Sequence, residues 1–468
     1  MSSYPELLSR IEAPQGGREV FDPATEELIG AAPRSTVDDV DAAVATARAA
    51  QPGWAALSHA ERSAALMACA DAVQENAETL AELLSREQGK PLNGLNARFE
   101  VGACVGWLQA TAATPLEPEV LIDDGTEYAE LHYRPLGVVG AIGPWNWPMM
   151  ITIWQVAPSL RMGNAVVVKP SENTTLSVLG LLDVLNHALP EGVLTAVTGE
   201  GDIGAALAAH PGVDKVMFTG SVETGKRIIA SSADTVKRVT VELGGNDAGI
   251  VLPDADPATI AEGVFWGAFI NTGQTCAALK RLYVHDSMYD AMCQALVAYA
   301  KNVPMGVGLD EANALGPLQN KEQYDIVTRL VGAARDSGAR VLLGGDPDPA
   351  AKGYFYPTTL VADIDNGNPL VTEEQFGPAL PIVRYHDIEQ AIDMANGLDV
   401  GLGASVWSAD RARAREVASR LRAGTVWINK HGAIHPMIPF GGASQSGYGL
   451  EFGVEGLKHV AQPVVING

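Results

Sequence analysis

Five short apolar runs interleaved with helical patterns between residues 138 and 241 limit what this chain can fold into more than any other feature. The runs occupy 138–142, 165–168, 193–197, 215–218 and 239–241, and apolar residues recur at helical spacing over 177–188, 203–209 and 221–231. Runs this short and this continuously apolar are buried on both faces, which a parallel sheet covered by helices on each side provides. The region therefore predicts an α/β fold with a doubly wound sheet, a layout that binds ligands beyond the carboxyl ends of its strands.

The flanking segments read as packing and pairing elements. Thr36 is placed to cap a helix over 37–50, and Ser58 opens a longer one through about residue 86, both alanine-rich. A second mixed region spans about 249–442, with a surface loop expected at 344–349. The tail ends in β-prone Pro463-Val464-Val465-Ile466, which must pair with another strand because a lone strand is unstable. Residues 135–160 carry no charge, and their length alone would allow a membrane span. Pro135, Pro144, Pro148 and Pro158, with Gly137, Gly140 and Gly143, divide them instead into a strand, a turn and the start of a buried helix.

Charge narrows the partners. With 32 Lys and Arg against 56 Asp and Glu, the formal charge is −24, which repels nucleic acid and anionic membranes. Cys69, Cys104, Cys276 and Cys293 form no CxxC pair and no disulfide framework, as expected in a reducing compartment, by default the cytoplasm. Residues 1–17 lack the basic start and apolar stretch of a secretory signal.

Placed on the predicted sheet, several polar residues fall together. Asn146 follows the first strand, Lys169 ends the second, Gly220 follows the fourth and Glu242 ends the fifth. They stand in Pro144-Trp145-Asn146-Trp147-Pro148, Lys169-Pro170-Ser171-Glu172, Phe218-Thr219-Gly220-Ser221 with Gly225, and Val241-Glu242-Leu243-Gly244-Gly245. Further on come Gly273-Gln274-Thr275-Cys276, Glu373-Glu374-Gln375-Phe376-Gly377-Pro378 and Pro439-Phe440-Gly441-Gly442. In these motifs and their order, over nearly its whole length, the chain resembles the NAD(P)-dependent aldehyde dehydrogenase superfamily.

The resemblance implies a mechanism and a division of the chain. Cys276 would be the nucleophile that adds to an aldehyde, and Asn146 with the cysteine's own N–H would hold the oxyanion. Glu242 would be the general base for hydrolysis of the thioester, as in the non-acylating, hydrolytic branch. Lys169 and Glu172 would hold the adenosine ribose, Gly220 and Ser221 the pyrophosphate, and Glu374 and Phe376 the nicotinamide end. Trp145, Thr219, Gly225 and Leu243 would complete the cofactor site. Glu172 favours NAD over NADP, because a carboxylate there repels a 2′-phosphate. Trp147, Ile151 and Trp154 would line the approach of an apolar aldehyde, together with the loop 429–439. No metal is expected. The implied cofactor domain comprises 1–115 and 136–244, the catalytic domain 245–445, and oligomerisation segments 116–135 and 446–468, joining a homodimer or homotetramer.

Taken singly, these residues have plainer readings. Cys276 could be a small core hydrophobe, Glu242 a surface carboxylate, Asn146 a turn residue and Lys169 a charged strand end. Glu172 and Ser221 could be helix caps, and Glu374 and Phe376 a charged rim and a core aromatic. Cys69, Cys104 and Cys293 read as core, and His431 and His435 as solvent-exposed loop residues. Gly199, Gly201 and Gly204 match the dinucleotide fingerprint but lie one strand too early for the resemblance, so tight turn packing is expected of them. Ser444, Leu450 and Gln155 depart from common family residues. A cysteine-dependent hydrolase or acyl-transfer enzyme without redox chemistry, and a non-catalytic dinucleotide-binding protein, are the alternatives.

Overall fold

The structure, a computed structural model, describes residues 3–13 and 15–468. The five apolar runs form parallel strands Val138–Ile142, Ala165–Lys169, Leu194–Ala196, Lys215–Gly220 and Arg238–Leu243. The first lies at the centre. The chain steps outward through Ala165–Lys169 to Leu194–Ala196, then returns to place Lys215–Gly220 and Arg238–Leu243 on the other side. The winding direction therefore reverses at the carboxyl ends of Val138–Ile142 and Lys215–Gly220, which opens a crevice between the outgoing connections. Every residue of Val138–Ile142 and Ala165–Lys169 is buried, as two-sided helical cover requires.

The uncharged stretch follows the same logic. After the strand it turns and enters helix Pro148–Arg161, all of whose residues are buried. A helix buried on every face belongs inside a protein core, and this one lies among other helices, including Ala97–Ala113. Among the described residues no helix is long and apolar enough to cross a membrane.

A second sheet carries the rest of the chain. Its order is Arg340–Leu343, Thr359–Ala362, Ala379–Tyr385, Leu279–His285, Asp247–Val251, Gly403–Trp407 and Thr425–Ile428. All neighbours are parallel except the first pair. The tail finds its partner: Ala461–Asn467 pairs antiparallel with Tyr128–Pro135, which pairs with Glu119–Asp123. The short strand Gly447–Tyr448 adds antiparallel to Arg238–Leu243 at the edge of the first sheet.

Two helices differ from expectation. The helix capped by Thr36 runs to Ala55, its first turn closed by reciprocal bonds between Thr36 and Asp39. The one opened by Ser58 is two helices, His59–Glu75 and Ala77–Gln88, broken at Asn76. There the side-chain amide donates to the Ala72 carbonyl at 2.9 Å, a local bond that competes with the backbone ladder.

Candidate active site

The crevice is a cavity of about 930 Å³. It is built by strand ends. Trp145 and Asn146 enter from the turn after Val138–Ile142, Lys169 and Glu172 from the end of Ala165–Lys169, and Thr219, Gly220 and Ser221 from the end of Lys215–Gly220. Glu242 and Leu243 close it from the last parallel strand. The second sheet contributes Cys276, just before strand Leu279–His285, and the loop bearing Glu374 and Phe376.

The loop before Cys276 is held in an uncommon shape. Asn271 and Thr272 have φ of 50° and 57°, a left-handed conformation that costs energy outside glycine. Gly273 follows with positive φ, and a side chain there would run into the Gly377 carbonyl, so only glycine fits. Bonds across the cavity floor fix the shape. Asn271 Nδ2 donates to the Asn146 carbonyl at 2.8 Å, Asn146 Nδ2 donates to the Gln274 carbonyl at 3.0 Å, and Trp147 Nε1 donates to Thr275 Oγ1 at 2.9 Å. The Asn146 turn and the Cys276 loop thus form one unit, and the second Asn146 amide hydrogen stays available to a ligand.

Burial dominates the electrostatics. Cys276 is half-buried, and desolvation pushes its thiol up to about 12 against the pull of Lys280. Both Glu242 carboxyl oxygens are buried without hydrogen-bond partners among the described residues. Desolvation, with the Glu451 carboxyl adding to it, raises Glu242 well above the usual carboxylate range. Glu451, also in the cavity wall, is raised to about 8 by burial, against the pull of Lys215. Glu242 is thus a carboxyl with a raised affinity for protons in the same cavity as the Cys276 thiol.

The sites expected to hold a cofactor fit an elongated dinucleotide. Lys169 Nζ lies 3.5 Å from Glu172 Oε2, leaving both able to meet ribose hydroxyls. Ser221 caps helix Val222–Ser232 by accepting from the Thr224 N–H, which leaves the earlier N–H groups of that turn without an intrahelical partner, and Val222 lines the cavity. Ser221 therefore does both things read from its sequence position: it caps a helix and it lines the cavity. Gly220 leaves no room for a side chain against the Phe218 ring. Gly225 does not line the cavity; a side chain there would strike Leu243, so this glycine lets the helix lie close to the strand. The Trp145 and Phe376 rings meet edge to face at 5.3 Å on the cavity wall. Gly201 and Gly204 of the fingerprint-like turn line the same cavity as Gly220, while Gly199 packs against Ile203.

The three aromatic and aliphatic candidates for the aldehyde approach separate. Trp154 lines the cavity, its ring packed edge to face against Phe452 at 4.8 Å. Trp147 and Ile151 are buried and do not line it. The two loop histidines separate as well. His435 is exposed, whereas the His431 side chain is wholly buried, bonded to Ser405 Oγ at 2.9 Å and facing Asp247 at 3.5 Å. Its place on a loop suggested solvent for His431, but the fold closes the loop over the second sheet.

The aldehyde dehydrogenase family model matches residues 11–466. The chain belongs to the aldehyde dehydrogenase family. It is accordingly an oxidoreductase that acts on aldehydes. It is 38% identical to phenylacetaldehyde dehydrogenase of Pseudomonas fluorescens over 458 residues, covering 94% of this chain and 90% of that one. It is 37% identical over 453 residues to the chloroplastic betaine aldehyde dehydrogenase of Beta vulgaris, with the same two shares. Among solved structures, Escherichia coli lactaldehyde dehydrogenase superposes with a TM-score of 0.93 at 34% identity, over 97% of this chain and 96% of that one. An NAD+ complex of a Bacillus cereus aldehyde dehydrogenase gives 0.92 at 36% identity, over 96% and 92%.

In this aldehyde dehydrogenase, one charged residue beside the site carried no motif. Lys280 sits in an apolar strand and is buried, donating to the Thr275 and Cys276 carbonyls at 2.8 and 2.6 Å and pairing with Glu374 at 2.9 Å. A charged residue inside an apolar run was the available clue, because such a charge is buried only if it is paired. Gln155, a departure from the common family residue, donates to Thr219 Oγ1 at 3.2 Å beside the Gly220 turn.

Proposed function

We propose that this aldehyde dehydrogenase converts an aldehyde to a free carboxylic acid with NAD, through a covalent adduct on Cys276. The observation that supports it most is that Cys276, Asn146 and Glu242 open onto one cavity that continues to Lys169, Glu172 and the Gly220 turn. Cys276 gives its proton to solvent water and its sulfur bonds to the carbonyl carbon. The oxygen takes up the electron pair and is held by Asn146 Nδ2 and the Cys276 N–H. Lys169, Glu172, Gly220 and Ser221 would hold the adenosine half of NAD, and Glu374 and Phe376 the nicotinamide half. Bound NAD supplies the acceptor for the hydride that leaves the adduct carbon, giving a thioester on Cys276. Glu242, in its ionised form, then draws a proton from water as that water attacks the thioester, and Cys276 leaves as thiolate.

Trp154 and Phe440 in the cavity wall, backed by Phe452, favour an apolar aliphatic or aromatic aldehyde over a cationic one. The test is NADH formation with phenylacetaldehyde, a medium-chain alkanal and betaine aldehyde, with NAD or NADP and without CoA. Turnover is expected with the first two, faster with NAD. A strict requirement for CoA would overturn the hydrolytic step, and a preference for betaine aldehyde would overturn the apolar wall.

The proposed division assigns cofactor binding to 1–115 and 136–244 and catalysis to 245–445. Segments 116–135 and 446–468 would join subunits. Val120, Leu121 and Ile122 on one edge strand and Val465 and Ile466 on the other are exposed apolar residues of one three-stranded sheet. Such a surface fits a homodimer or homotetramer. Light scattering should find a particle of at least two chains, and a monomer at micromolar concentration would refute this. All four cysteines are free thiols, which fits the proposed cytoplasmic location; cell fractionation would check it.

A further inference from the structure

The proposed mechanism leaves unused a lysine and a glutamate whose side chains are wholly buried. Lys90 Nζ pairs with Glu100 Oε2 at 2.5 Å, and both side chains are 0% exposed. A buried ion pair is weak evidence for stability, since its desolvation commonly cancels its attraction, so its reason is better sought in what it holds.

It holds the Asn146 turn from two directions. Lys90 Nζ donates to the Asn146 carbonyl at 2.8 Å and sits 3.7 Å over the Trp147 ring. The other Glu100 oxygen accepts from the backbone N–H groups of Met149 and Met150 at 2.9 and 3.1 Å. Those N–H groups belong to the first turn of helix Pro148–Arg161, whose N-cap residue, Trp147, offers no side-chain acceptor. Glu100, on helix Ala97–Ala113, therefore caps that helix from outside it, where a negative charge is also favoured by the helix dipole. The first of the two grips is on the residue whose amide would meet a developing oxyanion.

We propose that Lys90 and Glu100 are a positioning pair that fixes the Asn146 side-chain amide in the oxyanion site, acting through the backbone of residues 146–150. Neither touches the reacting atoms. The proposal rests on the reading of Asn146 as an oxyanion donor, and the test separates the two. Lys90→Met with Glu100→Gln removes both charges together, and the glutamine can still accept from one helix-end N–H. The pair is measured in wild type and in an Asn146→Ala background.

Asn146→Ala alone should lower kcat about a hundredfold or more, the typical cost of one oxyanion donor. The double variant should lower kcat about tenfold to a hundredfold, with NAD affinity by fluorescence quenching and alkylation of Cys276 unchanged. In the Asn146→Ala background the same two substitutions should cost less than about threefold, because the residue they position is already gone. Equal losses in both backgrounds, or no loss in wild type, would overturn the proposal. Wild-type kcat for Asn146→Ala would instead overturn the oxyanion reading itself. If the double variant does not fold, Glu100→Gln, which keeps the side-chain shape, is taken through the same cycle with the same criteria.

Discussion

Cys276→Ala is expected to abolish NADH formation, lowering kcat by about four orders of magnitude or more, while NAD binds as before. The size follows from the mechanism. Without a sulfur there is no adduct from which hydride can leave, and a bound aldehyde alone is a poor hydride donor at neutral pH. NAD binding should survive because Lys169, Glu172 and the Gly220 turn belong to the first sheet, whereas Cys276 precedes a strand of the second. NADH absorbance and calorimetric titration with NAD check the two halves. The same thiol carries a pH prediction. Its affinity for the proton is raised by burial, to about 12, so the thiolate is scarce at neutral pH and grows with alkalinity. Alkylation of Cys276 by iodoacetamide in the cofactor-free enzyme should therefore be slower than that of a free cysteine and should rise about tenfold per pH unit between pH 7 and 9. Fast, pH-independent alkylation down to pH 6 would show that the thiol is already held as an ion pair.

Glu242→Gln is expected to separate the two halves of the reaction. Glutamine matches glutamate in shape, and both Glu242 oxygens lack hydrogen-bond partners among the described residues, so the exchange breaks no bond there. The substitution removes the base that activates water. Steady-state kcat should fall about a hundredfold to ten-thousandfold. Rapid mixing should still show a burst of NADH approaching the concentration of active sites, after which the thioester on Cys276 accumulates. A burst lost together with the steady state would mean that Glu242 is needed chiefly to ionise Cys276. An unchanged steady state would remove it from the mechanism. Intact-mass analysis of the stalled enzyme distinguishes a trapped acyl group from free thiol.

Much of the architecture was legible along the chain because it depends on local period. The runs at 138–142 and 215–218 announced buried strands by their apolar continuity, and their alternation with helices fixed a parallel sheet, since parallel neighbours need crossovers of that length. Proline and glycine spacing divided 135–160 into strand, turn and helix for equally local reasons. The break at Asn76 was not legible, because the helical pattern continues on both sides and a single side-chain bond ends it. The candidate catalytic residues were legible as motifs, and the structure brings Cys276, Asn146 and Glu242 to one cavity.

By itself, then, the sequence determined the α/β layering, the strand ends that would bear polar residues and the residue types for covalent carbonyl chemistry. Only the tertiary structure decided which charges lie inside. Lys90, Glu100, Lys280 and His431 are all polar, and along the chain each would be placed at the surface, where most such residues lie. Their burial is settled by partners remote in sequence: Lys90 with Asn146, Lys280 with Glu374, His431 with Asp247. The β-prone tail likewise showed that it needed a strand, while the identity of that strand, Tyr128–Pro135, was set by the path of the intervening chain. The physical reason is common to all of them. Hydrophobic period reports how a segment meets water, whereas the stability of a buried charge or an unpaired strand depends on a specific neighbour that only folding brings near.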